Sequence, residues 1–251
     1  MSRPTLIRLI VIVAILIVWE GVRQLNLVGP LLLASPSEIA AAFAKSWPQF
    51  FAAFQITVLE IVAALAISFA LGVGAGLIAG ATPFNSLVSG PLLASLFAVP
   101  LITWYPLFMV WFGIGIASKI AYGVVSGFFP IAINTMNGIR NIDDQYLVYS
   151  RAIGCSRAQT TARIVFPLAL PSIIAGLRIG VALVIIGVIV AEMLGSLQGI
   201  GYLITSYRNL YEIGAVYLGI LLSLLCALVA NLGLSALERR FTHWREMQMA
   251  Q

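Results

Sequence analysis

The chain has 251 residues, of which 61% are hydrophobic and 9% are charged, and its formal net charge is +5. Soluble domains contain about 45–50% apolar and about 25% charged residues, so this composition excludes a single soluble core. It predicts a polytopic, all-α membrane protein, since the apolar runs lack the period-two alternation of barrel strands. With one histidine, His243, and two cysteines, Cys155 and Cys226, outside any C-x-x-C pair, no metal centre or disulfide framework is expected.

Six apolar runs approach the length of about 20 residues that crosses a membrane. The first begins like a signal peptide, but Trp19, Glu20 and Arg23 follow without an A-x-A cleavage pattern, which favours an uncleaved anchor. We predict one transmembrane domain over residues 1–251 with six spans: Leu6–Leu25, Ile56–Ala79, Leu87–Phe112, Lys119–Met136, Ile173–Leu194 and Ile213–Leu237.

The segment Asn26–Gln55, between the first two spans, contains a helix start. Ser35 stands at the N-cap position, with Pro36 at N1 and Glu38 at N3, the order of a capping box. Two interpretations stay open, an interfacial helix on the outer membrane surface and a helix packed within a loop.

Span two carries glycines at intervals of four, Gly72, Gly76 and Gly80, which places them on one helical face. Small residues at this spacing allow helix backbones to approach closely in lipid. They favour a helix–helix seam, within the subunit or between two subunits. The alternative is that glycine is simply common in membrane helices.

Span three carries two prolines, Pro100 and Pro106, that should kink or interrupt its helix. Carbonyl groups released by such a break are tolerated in a membrane only against protein or a water-lined cavity. Span three is therefore expected to border a translocation path, and Thr103 and Trp104 are its candidate lining residues.

The basic residues favour one orientation, because cytoplasmic loops of membrane proteins are enriched in Lys and Arg. With the N-terminus inside, ten basic residues fall inside and four outside. Both termini are therefore predicted to be cytoplasmic. The inner set is Arg3, Arg8, Arg140, Arg151, Arg157, Arg163, Arg178, Arg239, Arg240 and Arg245, and the outer set is Arg23, Lys45, Lys119 and Arg208.

A polar insert, Asn141–Pro171, interrupts the apolar pattern before the fifth span. Asn141 can cap a helix with Asp143 and Asp144 in its first turn, and Gly154 suits the left-handed position that ends such a helix. A polar loop of this kind must lie outside the hydrocarbon. We interpret it as a cytoplasmic docking element for a soluble partner.

A second helix of the insert should begin at Ser156, with Gln159 three residues later as its capping-box partner. Pro167 and Pro171 are predicted to mark its end and a turn into span five. The alternative is an amphipathic loop that lies passively on the membrane surface.

The insert resembles the cytoplasmic loop of permease subunits in bacterial binding-protein-dependent ABC importers, whose motif is E-A-A-x3-G-x9-I-x-L-P. Gly154, Ile164 and Pro167 match it, whereas Phe166 replaces leucine and Val148-Tyr149-Ser150 replaces Glu-Ala-Ala. The glutamate normally contacts the ATPase subunit, so this contact is lost here or supplied by another side chain. The coupling-loop residues implied are Val148, Tyr149, Ser150, Arg151, Ala152, Gly154, Ser156, Arg157, Ile164 and Pro167.

Three more segments resemble the nitrate, sulfonate and taurine branch of these permeases: Pro106–Ile120, Phe129–Asp143 and Ala191–Leu203. The resemblance implies a type I importer permease in a bacterial inner membrane. Such a permease dimerises, here as a homodimer, binds two ATPase subunits and receives solute from an extracytoplasmic binding protein. No nucleic-acid partner is expected. The sequence lacks G-x4-G-K-[ST], so we expect no cofactor in this chain and ATP in the partner subunit.

Two other classes of function are alternatives to the permease. A channel or secondary transporter would work without ATP. A membrane-embedded enzyme would need clustered acids, and Glu20, Glu60 and Glu192 are predicted near the outer side. Of these, Glu192 precedes the irregular stretch Gly195–Gly201, where it can gate the outer mouth or simply cap a solvated helix end.

The resemblance implies a small oxyanion or organic acid as solute, such as nitrate, a sulfonate, taurine or bicarbonate, with thiamine-precursor pyrimidines as another possibility. The predicted spans place no Lys or Arg at mid-membrane. We therefore expect no buried cation to hold an anion, and selectivity to lie mainly in the binding protein.

Overall fold

The computed structural model describes the backbone of residues 3–249 and the side chains of residues 6–236. Within this part the chain is all-α, without β-strands. A 3-10 turn, Leu101–Trp104, and a π-helical turn, Thr161–Val165, interrupt the helices. The helices are α1 (Arg3–Gln24), α2 (Pro36–Gly80), α3 (Pro83–Ala98), α4 (Tyr105–Phe112), α5 (Ile116–Arg140), α6 (Asp144–Ala152), α7 (Arg157–Thr160), α8 (Phe166–Gly195), α9 (Ile200–Asn209) and α10 (Ile213–Met249).

Four helical stretches of the described chain are long and apolar enough to cross a membrane. They are Pro36–Gly80, Ile116–Arg140, Arg157–Gly195 and Ile213–Ala236, and a fifth span results if the bent pair Pro83–Ala98 and Leu101–Phe112 is counted as one. The first predicted span lies in α1, whose apolar run also holds Arg8, Glu20 and Arg23. The count of six spans therefore stays a prediction.

The second span begins 20 residues earlier than predicted, because α2 is one helix from Pro36 to Gly80 that passes through Pro48. Neither a separate interfacial helix nor a loop helix exists in Asn26–Gln55. The start itself was predicted correctly, since the Glu38 amide donates to Ser35 Oγ at 3.1 Å and the Ser35 amide donates to Glu38 Oε2 at 2.9 Å. This reciprocal pair is a capping box.

The third span is broken. The axis bends by 80° between α3 and the stretch Leu101–Phe112, and Pro100 lies at the break with a ψ of 103°. Pro100 interrupts the helix because a proline lacks the amide hydrogen and forces the residue before it out of helical geometry. Pro106 does not add a second break, since it occupies the first turn of α4, where proline is tolerated.

The predicted turn at Pro167 and Pro171 is wrong. The stretch Arg157–Gly195 runs as one helical segment, and Pro171 lies inside α8. The π-helical turn Thr161–Val165 immediately precedes Pro167. A π-turn shifts the backbone hydrogen bonds by one residue, so the helix can continue although the proline has no amide hydrogen to donate.

The chain divides into two compact units. The first contains the described residues up to Thr57 together with Glu192–Leu225, and the second contains Val58–Ala191 and the described residues from Cys226. In the second unit, α2 and α8 pack around a cluster of Ile61, Ala64, Val184 and Val188. A further cluster joins α4 to α5 through Tyr105, Phe108 and Tyr122, so the broken span is held by aromatic contacts.

The predicted glycine seam lies within the subunit, between α2 and α5. A Cβ atom added to Gly72 would lie 2.8 Å from Ile131 Cβ, and one added to Gly80 would lie 2.9 Å from Ile139 Cβ. At Gly76 it would collide with Thr135 Cβ and the Ala132 carbonyl. These side chains recur every four residues along α5, so the two backbones touch over two helical turns.

Gly76→Ala should therefore destabilise the protein, by about 1–3 kcal/mol, because overpacking forces the two backbones apart. Gly74→Ala is the matched control, since nothing lies within 4 Å of a Cβ at that position of the same helix. The measurement is the thermal unfolding midpoint of each variant purified in detergent. Equal midpoints for the two variants would show that α2 and α5 tolerate separation.

Candidate functional site

The first helix of the polar insert begins two residues later than predicted. Asp143 is the N-cap of α6 and accepts a hydrogen bond from the Gln145 amide at 2.9 Å. Asn141 instead ends α5, because its amide still donates to the Asn137 carbonyl at 3.1 Å. Asp143 and Asp144 still place negative charge at the helix start, where the dipole favours it.

The predicted role of Gly154 in ending α6 is confirmed. Its φ is +77°, a left-handed conformation that favours glycine. The Gly154 amide donates to the Arg151 carbonyl, and the Cys155 amide donates to the Ser150 carbonyl, each at 3.0 Å. Together these two bonds form a Schellman motif, which sets the direction in which the chain leaves α6.

The second helix starts as predicted, at Ser156. Its hydroxyl accepts from the Gln159 amide, and the Gln159 side chain accepts from the Ser156 amide. One contact joins the two helices, since Thr160 Oγ1 lies 3.3 Å from the buried Ser150 Oγ. The insert is therefore a defined helix–Gly–helix unit, which we call the coupling element (residues 143–167).

The coupling element presents an apolar and aromatic surface on α6. Val148 is 59% exposed and Tyr149 is 64% exposed, so the position that carries glutamate in the related motif carries an outward valine here. Tyr146 and Ile153 are also more than half exposed. The remaining predicted loop residues are exposed or half-buried: Arg151, Ala152, Ser156, Arg157, Ile164 and Pro167.

The predicted path residues of span three lie together at the break in that span. The Pro100 carbonyl accepts from the Thr103 amide at 3.1 Å and from Thr103 Oγ1 at 2.7 Å, so Thr103 closes the first turn after the break. Thr103 is exposed, whereas Trp104 is half-buried and packs against the cluster formed by Tyr105 and Phe108. The break is thus held on one side by aromatic packing, and the polar side chain of Thr103 is exposed on the other.

Glu192, predicted at a gate or a solvated helix end, is only 1% exposed. Its Oε1 accepts from Thr57 Oγ1 at 2.7 Å, and its Oε2 accepts from the Gly201 amide at 2.8 Å. Thr57 Oγ1 in turn accepts from the Ile200 amide at 2.9 Å. Solvation of a helix end is therefore excluded. The role of Thr57 as a hydrogen-bond partner of Glu192 was not predicted, because an isolated threonine in an apolar run gives no sequence signal.

A buried ion pair corrects the expectation that the chain has no buried cation. Lys119 is 1% exposed and Glu60 is 0% exposed, and Lys119 Nζ lies 2.5 Å from Glu60 Oε1. The sequence prediction placed both near the outer ends of spans, where they would meet water. Their burial became visible only with the pairing of α2 and α5. Because the Glu60 carboxylate balances the positive charge of Lys119, this lysine is not arranged as a cation that holds an anionic solute.

The three acids proposed for an enzyme site do not form one. Glu20 accepts hydrogen bonds from Ser37 and Gln24, Glu60 pairs with Lys119, and Glu192 bonds to Thr57. Among the described residues there is no group of three or more His, Cys, Asp or Glu side chains placed to hold a metal ion. In the described part of the chain, Cys155 and Cys226 form no disulfide bond.

The fold and the coupling element define a multi-pass membrane permease. Residues 72–243 match the model of the binding-protein-dependent transport system inner membrane component. The chain therefore belongs to this family, the permease subunits of ABC importers, which are transport subunits and not enzymes.

Two relatives align over almost the whole chain. The taurine transport system permease protein of Escherichia coli (strain K12) is 29% identical over 97% of this chain and 91% of its own length. The formylaminopyrimidine transport permease protein of Halalkalibacterium halodurans is 32% identical over 93% of this chain and 94% of its own length. The inward-facing MetNI methionine ABC transporter shares the fold, with a TM-score of 0.71 and 17% identity over 79% of this chain and 98% of its own.

The Glu60–Lys119 pair leads to a prediction about stability. Lys119→Met should lower it by about 3–5 kcal/mol, because it leaves a carboxylate buried without that cation. Glu60→Met combined with Lys119→Met should recover most of the loss, since an apolar pair of similar volume often replaces a buried ion pair. Thermal unfolding in detergent measures both. A double variant no more stable than Lys119→Met would contradict this account.

Proposed function

We propose that this chain, as a homodimer, forms the translocation path of an ATP-driven importer, with two ATPase subunits inside and an extracytoplasmic binding protein outside. The family assigns the chain to a transport system with a binding protein. The observation that carries the assembly is the coupling element, a capped helix–Gly–helix unit that ends directly in the long helix Arg157–Gly195. In this proposal ATP binds only to the partner subunits.

The coupling element suits a contact that transmits movement. The Schellman motif at Gly154 and the capping box at Ser156 hold both helix ends by backbone hydrogen bonds, so the unit moves as one piece. Segment 157–195 runs as one helical segment through the π-helical turn, so a push on the element acts on a transmembrane helix. Docking would then rely on the exposed Val148 and Tyr149 in place of the glutamate of the related motif.

Gly154→Val should weaken ATPase binding and lower transport in step, while membrane insertion stays intact. A side chain in the left-handed region costs about 1–2 kcal/mol, and valine, being β-branched, is poorly suited to it. Gly154→Asn is the matched control, because asparagine adopts this conformation more readily. Ser150→Ala should have a much smaller effect. Co-purification of the ATPase subunit and transport in vesicles are the two measurements.

Two results would count against this role. If Gly154→Val transports normally with its ATPase bound, the element is not a rigid coupling device. If transport by the wild-type chain persists without any ATPase subunit, the chain acts as a channel or secondary transporter.

For the path, we propose that the break at Pro100 places Thr103 and Trp104 beside the solute, and that Glu192 belongs to the outer gate. Exposure of Thr103 next to an aromatic cluster supports this. The orientation proposed has both termini in the cytoplasm. Of the inner basic set, the side chains of Arg3, Arg239, Arg240 and Arg245 lie outside the described part of the structure, as does Gln251 as a whole.

Cysteine labelling in intact cells tests the orientation and the path together, in a background lacking Cys155 and Cys226. Gln198→Cys should react with a membrane-impermeant thiol reagent, whereas Gln159→Cys should react only after permeabilisation, because the two exposed positions are proposed to lie on opposite sides. Thr103→Cys should react with a small water-soluble reagent in the assembled complex. Labelling of Gln159→Cys from outside would reverse the topology, and protection of Thr103→Cys in every nucleotide state would remove it from the path.

The solute proposed is a small oxyanion or organic acid, such as a sulfonate, taurine, nitrate or bicarbonate, with a thiamine-precursor pyrimidine as the other class. The names of the taurine and formylaminopyrimidine relatives support these two classes. The compensation of Lys119 by Glu60 supports selection by the binding protein. The ligand that the binding protein delivers to the reconstituted complex decides between the classes.

A further inference from the structure

Helix α9 has no side-chain cap of its own, because its N-cap residue is Gly199, which has a φ of +104° and makes no side-chain cap hydrogen bond. Its first two amides are satisfied from other helices. The Ile200 amide donates to Thr57 Oγ1 of α2 at 2.9 Å, and the Gly201 amide donates to Glu192 Oε2 of α8 at 2.8 Å. Thr57 and Glu192 thus act as a shared cap for α9.

The shared cap is buried and sterically closed. Thr57, Glu192 and Ile200 are all at most 1% exposed. A Cβ atom at Gly199 would overlap the Glu192 carboxylate, so the loop backbone lies directly against this side chain. A solute or a soluble partner therefore has no route to the carboxylate in this conformation.

The far side of α9 is fixed by packing. Tyr207 stacks on Phe50 of α2 with a centroid separation of 5.7 Å, and its hydroxyl lies 2.6 Å from Gln49 Oε1. Ile204 fits against Gly219 of α10. The polar cap therefore holds the buried start of α9, whereas the aromatic stack, the Tyr207 hydroxyl and the packing of Ile204 hold the rest of the helix.

We infer that Glu192 is a positioning residue, which fixes α9 to α2 and α8 through Gly201 and Thr57 and does not itself contact the solute. For its effect on transport the inference rests on the proposed function. Glu192 lies three residues before the end of α8, so a movement of this end of α8 is carried to α9.

The geometry separates a positioning role from a role that needs charge. A glutamine at this position can still accept from the Gly201 amide, and its NH2 group can donate to Thr57 Oγ1. The Thr57 hydroxyl would then donate to the Ala53 carbonyl, which already lies 3.1 Å away. An amide can thus take part in each of the bonds to Gly201 and Thr57. An aspartate keeps the charge but is one methylene too short to span the two contacts.

The test compares Glu192→Gln, Glu192→Asp and Glu192→Ala in the assembled complex. The local readout is the thiol-labelling rate of Ile204→Cys on the buried face of α9, in a background lacking Cys155 and Cys226. The Ala and Asp variants should raise this rate by about tenfold, because a buried amide loses its partner, and Gln should leave it within about twofold.

Transport should follow the same order, with Gln well above Asp. Thr57→Val should resemble Ala, and Thr57→Ser, which keeps the hydroxyl, should resemble wild type.

If Asp retains transport and Gln loses it, the charge of Glu192 is what matters and the inference is overturned. Unchanged labelling of Ile204→Cys in Glu192→Ala would overturn it as well. The labelling readout does not depend on transport. If the variants show the expected labelling order but the wild-type complex imports no solute, the positioning role stands and the proposed function is contradicted.

Discussion

Close backbone contact along α5 is the constraint on which the second unit depends. Glycines of α2 lie against Ile131 and Thr135 on one side, and Gly176 and Gly180 of α8 lie against Pro130 and Ile131 on the other. In lipid the hydrophobic effect does not drive helices together, so association relies on van der Waals packing and interhelical hydrogen bonds. A helix that touches two neighbours at backbone distance leaves little room for any other arrangement of α2 and α8.

Polar groups buried within each unit are paired with other polar groups. Lys119 is buried beside Glu60, and the Ile200 and Gly201 amides are capped by Thr57 and Glu192. An unsatisfied polar group in hydrocarbon costs several kcal/mol, so each of these partners fixes its helix in one position. The polar contacts thus define geometry within each unit, while the apolar contacts provide most of the buried surface.

The coupling element shows how far a motif predicts a contact. Gly154 and Ser156 perform the backbone roles that their residue types indicate. Yet the related family's glutamate is replaced by Val148, which is exposed beside Tyr149. The backbone caps of the motif are therefore present in this chain, while the position of its glutamate carries an apolar side chain.

The sequence alone determined the membrane class, the helical fold, the break at Pro100 and the helix caps at Gly154 and Ser156, because these depend on composition and on residues close in the chain. It placed the first cap of the coupling element at Asn141, two residues before its position at Asp143. It misjudged the start of the second span and the turn at Pro171, since continuation of a helix through proline is decided by local adjustments such as the π-turn before Pro167. Only the tertiary structure paired Glu60 with Lys119 and Glu192 with Thr57, residues 59 and 135 positions apart in the sequence. Such pairs are decided by which helices pack together and at what depth, and periodicity within one helix does not encode that.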